Sequence, residues 1–135
     1  MVVCGGALRN RLVPRSEWFH FFDEFSRRHR GWATTVHVLS PRLGSQVEAR
    51  DLPLEGIVSR ADGSGPISLF LGSALPRSNL EHEIEGPRQV WIELSEEGEE
   101  EAIEVESEDG TKTVLQFRAG KLRDQTDLRL PGDRS

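Results

Sequence analysis

Cysteine is nearly missing from this chain. A single residue among 135, Cys4, cannot close an internal disulfide, and such sparing use fits a reducing compartment, so the expected location is cytoplasmic. Long apolar runs are missing as well. None approaches the roughly 18 residues a membrane-spanning helix needs, and no membrane partner is expected. The opening MVVCGGALRN lacks the basic start and apolar centre of a secretion leader. Lysine is scarce: two lysines stand beside 15 arginines, a bias attributed to codon usage in a GC-rich genome. Nucleic acid is not an expected partner, because the only cluster of cations, Arg27, Arg28 and Arg30, closes a helix, where positive charge complements the helix dipole.

The signatures of common catalytic systems are also missing. There is no G-x-S-x-G elbow and no phosphate-binding loop, and Cys4 has no adjacent base. The stretch GSGPIS at Gly63–Ser68 fails the dinucleotide fingerprint at its third glycine and leads into a strand, so it reads as a turn. His20, His29, His37 and His82 lack metal-ligand spacing. The calcium-loop start at Asp62 has Ser73 where a bidentate carboxylate would be needed. No metal, no cofactor and no catalytic residue is assigned, and an enzyme is not the expected outcome.

What the chain does have is pattern. Charged residues make up 30% and hydrophobic residues 36% of it, which suits a globular domain large enough for one core. Trp18, Phe21, Phe22 and Phe25 fall at i, i+3, i+4 and i+7, one face of a helix expected over 16–30. Ser16 would cap its start and Gly31 would take the left-handed position after its end. His29 continues the apolar face and reads as a packing residue. Phe19 lies at the edge of the stripe, about 80° from its centre by helical geometry, and marks either a wider core or a partner surface.

After Gly31 the period changes from 3.6 to 2. WATTVHVL (32–39), QVEARDLPLEGIVSR (46–60), PISLFLG (66–72) and HEIEGPRQVWIEL (82–94) read as strands, with a break or bulge near Pro53. In the last hairpin, a three-residue loop Glu108-Asp109-Gly110 sets Ile103 opposite Leu115 and Glu106 opposite Lys112. A two-residue loop would turn Leu115 and Phe117 towards the glutamate face, so the three-residue register is expected. The fold class is α+β, mainly β: an N-terminal amphipathic helix packed on an antiparallel sheet curled into a small barrel. Residues 1–13 read as a poorly ordered extension, 14–118 as a single globular domain, and 119–135 as a loosely anchored tail.

Charge is divided along the chain. Residues 1–60 carry 9 basic and 6 acidic side chains, whereas 61–135 carry 8 basic and 17 acidic, which together give the net charge of −6. Ten of the seventeen residues from Glu93 to Asp109 are acidic. Glu97, Glu99, Glu100 and Glu101, with Phe19, are the candidates for a partner surface that a basic protein would recognise. Glu48, Arg50 and Asp51, just before the Pro53 irregularity, and His37 are the candidates for a ligand pocket between helix and sheet.

The segments EWFHFFDEFSRRHRGW, QVEARDLPLEGI and IEVESEDGTKTVLQF together resemble a family of small uncharacterised bacterial proteins, a domain of unknown function of about a hundred residues. The resemblance covers roughly 14–118 and implies no catalytic residue. Two readings therefore stand. One is a non-enzymatic protein-binding or regulatory module with an acidic surface. The other is a small-ligand-binding or catalytic barrel. A filled core favours the first, and a deep pocket with perturbed titratable groups favours the second.

Overall fold

The computed structural model describes residues 9–72, 80–94 and 100–119. In chain order the elements are β1 (Arg9–Val13), a 3-10 turn (Arg15–Glu17), α1 (Trp18–Arg28), β2 (Ala33–Ser40), β3 (Gly44–Val58), β4 (Ile67–Leu71), β5 (Leu80–Ile84), β6 (Pro87–Leu94), β7 (Glu100–Ser107) and β8 (Lys112–Arg118). The strands form one antiparallel sheet in the order β1-β6-β7-β8-β2-β3-β4-β5. No helix among the described residues is long and apolar enough to cross a membrane.

The helix forms where the aromatic periodicity places it, but it is shorter than expected. Ser16 does not cap it: Pro14 leads into a 3-10 turn, Glu17 occupies the N-cap, and no side chain bonds to the exposed amides there. Gly31 does adopt positive φ, at 87°. Trp18, Phe22, Phe25 and His29 are buried, and Phe21 is half-buried beside them. Two polar contacts lock the helix against the sheet. The Trp18 indole donates to the Val13 carbonyl at 2.9 Å, and the Ser26 hydroxyl donates to Phe22 O and accepts the Ile57 amide at 2.8 Å.

One apolar cluster takes residues from α1 and from all eight strands, among them Val13, Val36, Leu54, Leu69, Ile84, Ile92, Ile103 and Leu115. A flat eight-stranded sheet would be about 33 Å wide at the usual strand spacing, far wider than one helix about 11 Å across can cover. The sheet must therefore fold over on itself. It does not close into the expected barrel: β1 and β5 remain its edges. The bend lies in β3, whose residues 44–53 pair with β2 while residues 54–58 pair with β4. Pro53 stands at the changeover, where its missing amide leaves no gap in a ladder. Two register shifts opposite Val36 and a positive φ of 56° at Asp51 add to the turn.

Two further expectations meet the structure here. Of residues 1–13, expected as a poorly ordered extension, 9–13 form β1, pair with β6 and bury Val13, and 1–8 lie outside the described residues. The final hairpin adopts the three-residue loop: Ile103 faces Leu115, Val105 faces Thr113, Glu106 faces Lys112, and Gly110 has φ of 90°. Of the tail expected over 119–135, residues 120–135 lie outside the described residues.

Candidate functional site

The ligand-pocket candidates line none of the cavities described below. Glu48 and Arg50 are exposed on the irregular stretch of β3. Asp51 is held by Arg118 at 2.5 Å, and its amide donates to the Thr35 hydroxyl at 3.1 Å. His37 sits on the outer face of the sheet, its Nε2 3.1 Å from Gln116 Oε1. The space between helix and sheet is filled by Trp18, Phe22 and Phe25. Phe19 is 39% exposed, edge-on to the His20 ring. Glu97 and Glu99 lie outside the described residues. Glu100 and Glu101 are described as backbone of β7 only.

A polar cavity lies elsewhere, in the corner where β5 turns into β6 through Gly86. It measures about 220 Å³ and is lined by Val38, His82, Ile84, Ser107, Thr111 and Thr113, with Glu83, Glu85 and Asp109 also contributing. Strand alternation explains how it arises. Leu80, His82 and Ile84 share the inward face of β5, as Val105 and Ser107 do on β7 and Thr113 and Leu115 do on β8. Deep in the fold these columns are apolar. At this corner they become His82, Ser107 and Thr113.

Ser107 and Thr113 are 5% and 2% exposed, and neither hydroxyl has a hydrogen-bond partner among the described residues. A buried hydroxyl without a partner costs about 1–3 kcal/mol, so two on one cavity wall call for an explanation. The Asp109 carboxylate accepts the Thr111 amide at 2.9 Å. That bond, with the Thr111 hydroxyl second, holds the Asp109 carboxyl below its usual range, so it carries charge at neutral pH.

The corner is also where uncompensated negative charge collects. Elsewhere Asp23, Asp51, Asp62, Glu104 and Glu106 pair with Arg27, Arg118, Arg60, Lys112 and Arg88. Glu17, Glu24, Glu48 and Glu55 are exposed without an ion-pair partner among the described residues but are spread over the 3-10 turn, α1 and β3. Glu81, Glu83, Glu85, Glu108 and Asp109 are all exposed and have no ion-pair partner among the described residues. No Lys or Arg lines the cavity. Arg15 borders an adjoining depression with Glu85 and Glu108. It is engaged there, donating to Gly63 O and Pro87 O at 2.6 and 3.1 Å and lying 4.4 Å over Trp18. A wider depression of about 410 Å³ beside Gly31 and Pro53 has only exposed Arg30 and Glu55 for polar side chains. No group of His, Cys, Asp or Glu among the described residues is arranged to hold a metal ion.

Neither Ser107, Thr113 nor His82 stands out in the sequence as a site residue. The signal was present: each falls on the inward column of a strand that otherwise alternates apolar and polar. What the sequence withheld was that three separate strands bring these positions to one corner.

Comparison with known proteins is consistent with the family resemblance. The profile of a family of unknown function, DUF5335, matches residues 9–126. An uncharacterised protein of Aquifex aeolicus (strain VF5) is 25% identical over 112 residues, covering 82% of this chain and 94% of the relative. No solved structure matches significantly.

Proposed function

We propose that this chain, which belongs to the DUF5335 family of unknown function, is a non-enzymatic protein-binding module that receives a basic polypeptide segment. The docking site is the acidic lip formed by β5 and the β7–β8 loop. The observation that carries this reading is the set of five exposed carboxylates, Glu81, Glu83, Glu85, Glu108 and Asp109, without compensating cations. Supporting it, β5 is an edge strand among the described residues, so an extended partner can pair with its outer backbone groups while Glu81 and Glu83 meet basic side chains. His29 and His37 contact the Phe25 carbonyl and the Gln116 amide, arrangements that pack a ring or tie two strands without activating a nucleophile. The sparing use of cysteine supports a cytoplasmic setting for the module.

Each exposed ion pair contributes at most about 1 kcal/mol, so the lip acts chiefly through encounter rate and salt dependence. Fluorescence anisotropy of a labelled peptide alternating Arg and Ser tests this. The triple variant Glu81→Lys, Glu83→Lys, Glu85→Lys is expected to bind about tenfold more weakly, a loss of about 1.4 kcal/mol. A control of equal charge change, Glu17→Lys, Glu24→Lys, Glu48→Lys, should lose much less. Equal losses in both would reduce the effect to net charge and overturn the proposal.

A further inference from the structure

The cavity in the β5–β6 corner adds a second, independent feature to the lip. Its floor carries two hydroxyls, Ser107 and Thr113, that are more than nine-tenths buried and lack partners among the described residues. His82 stands opposite them on the inward face of β5, and its imidazole offers another polar edge to whatever enters. The only formal charges among the lining residues, apart from the imidazole, are the carboxylates of Glu83, Glu85 and Asp109. Hydroxyl oxygens and carboxylates are acceptors, while an anion would meet like charge and no cationic donor.

We infer that this cavity is a recognition pocket for an alkylammonium or guanidinium group, anchored by Ser107, Thr113 and His82 and neutralised by Glu85 and Asp109. Entry of the cation's N–H donors gives partners to the hydroxyl oxygens, which have none among the described residues. A volume of about 220 Å³ takes the end of one Arg or Lys side chain. The inference rests on the lip being the binding face and deepens it: the lip attracts a basic segment, and the pocket selects one side chain of it.

Thr113→Val separates a ligand contact from a structural one. The substitution keeps the shape and removes a hydroxyl that has no partner among the described residues, so the melting temperature holds or rises. Binding of the Arg-Ser peptide should fall about tenfold, the loss of one charge-assisted hydrogen bond. Titration followed by NMR of the His82 ring and the Thr113 amide uses two probes, L-arginine amide and the peptide. Saturable shifts with both show that a free cation suffices. Shifts with the peptide alone show that the group must be carried on a polypeptide. Either result supports the pocket.

Peptide binding that is abolished by the lip reversal yet unchanged in Thr113→Val, with His82 unmoved, overturns the pocket and leaves the lip standing. If no basic probe binds, both proposals are overturned. Phosphate saturating the same signals would overturn the inferred ligand class.

Discussion

At Phe25 several contacts converge. His29 stacks on it at 3.9 Å, Phe117 lies 4.8 Å away and Phe21 5.8 Å, and the ring itself is fully buried. The i, i+4 spacing to His29 makes the stack local, whereas Phe117 comes from the far end of the chain, so one ring joins helix to β8. Phe25→Ala should cost about 3–5 kcal/mol, the usual loss for a core aromatic whose cavity cannot collapse. Urea denaturation measures it, and a midpoint within error of the native protein would show that the aromatic stripe is not what holds the helix down. His29 earned its structural reading from the same geometry, with Nδ1 2.9 Å from the Phe25 carbonyl and its ring edge-on to Trp32.

The β7–β8 hairpin shows one element governed by its neighbours. Asp-Gly strongly favours a two-residue loop, yet the chain uses three residues, with Ser107 and Thr111 as the flanking pair and Gly110 left-handed. The core decides this, because slipping one position would turn Leu115 and Phe117 out of it. Deleting Glu108 leaves Asp109-Gly110 between the same flanking residues, so the register should survive. The cost should be about 1 kcal/mol, from the lost bond between the Glu108 amide and Gly86 O. Cross-strand NOEs should still join Ile103 to Leu115. NOEs joining Ile103 to Gln116 would mean that the loop, not the core, sets the pairing.

Over the whole molecule, an open sheet depends on its edges as a closed barrel would not. β1 supplies five register pairs to β6, buries Val13 and provides the carbonyl that accepts the Trp18 indole. A chain beginning at Pro14 loses all three. Burial of one valine and one hydrogen bond together give an expected loss of about 2–4 kcal/mol. Thermal and chemical denaturation of this truncation test the estimate, and full-length stability would show β1 to be dispensable. The same view explains why polar residues are tolerated in the β5–β6 corner. In the proposed pocket, an open end of the sheet lets a ligand's donors reach Ser107 and Thr113, which a sealed barrel would not allow.

Local periodicity was enough to establish the helix, the strand character of most of the chain, the aromatic core face and the hairpin register. Each depends on which side chains can share one face, a property written within a few consecutive residues. The helix start eluded it, because the turn after Pro14 is set by Trp18 reaching back to Val13 and by Arg15 reaching to Gly63 and Pro87. Whether the sheet closed was also beyond it, because closure depends on whether β1 and β5, far apart in the chain, come into register. The polar corner belongs to the same class. His82, Ser107 and Thr113 are ordinary in their own strands and come to line one cavity only when the fold brings three inward columns together.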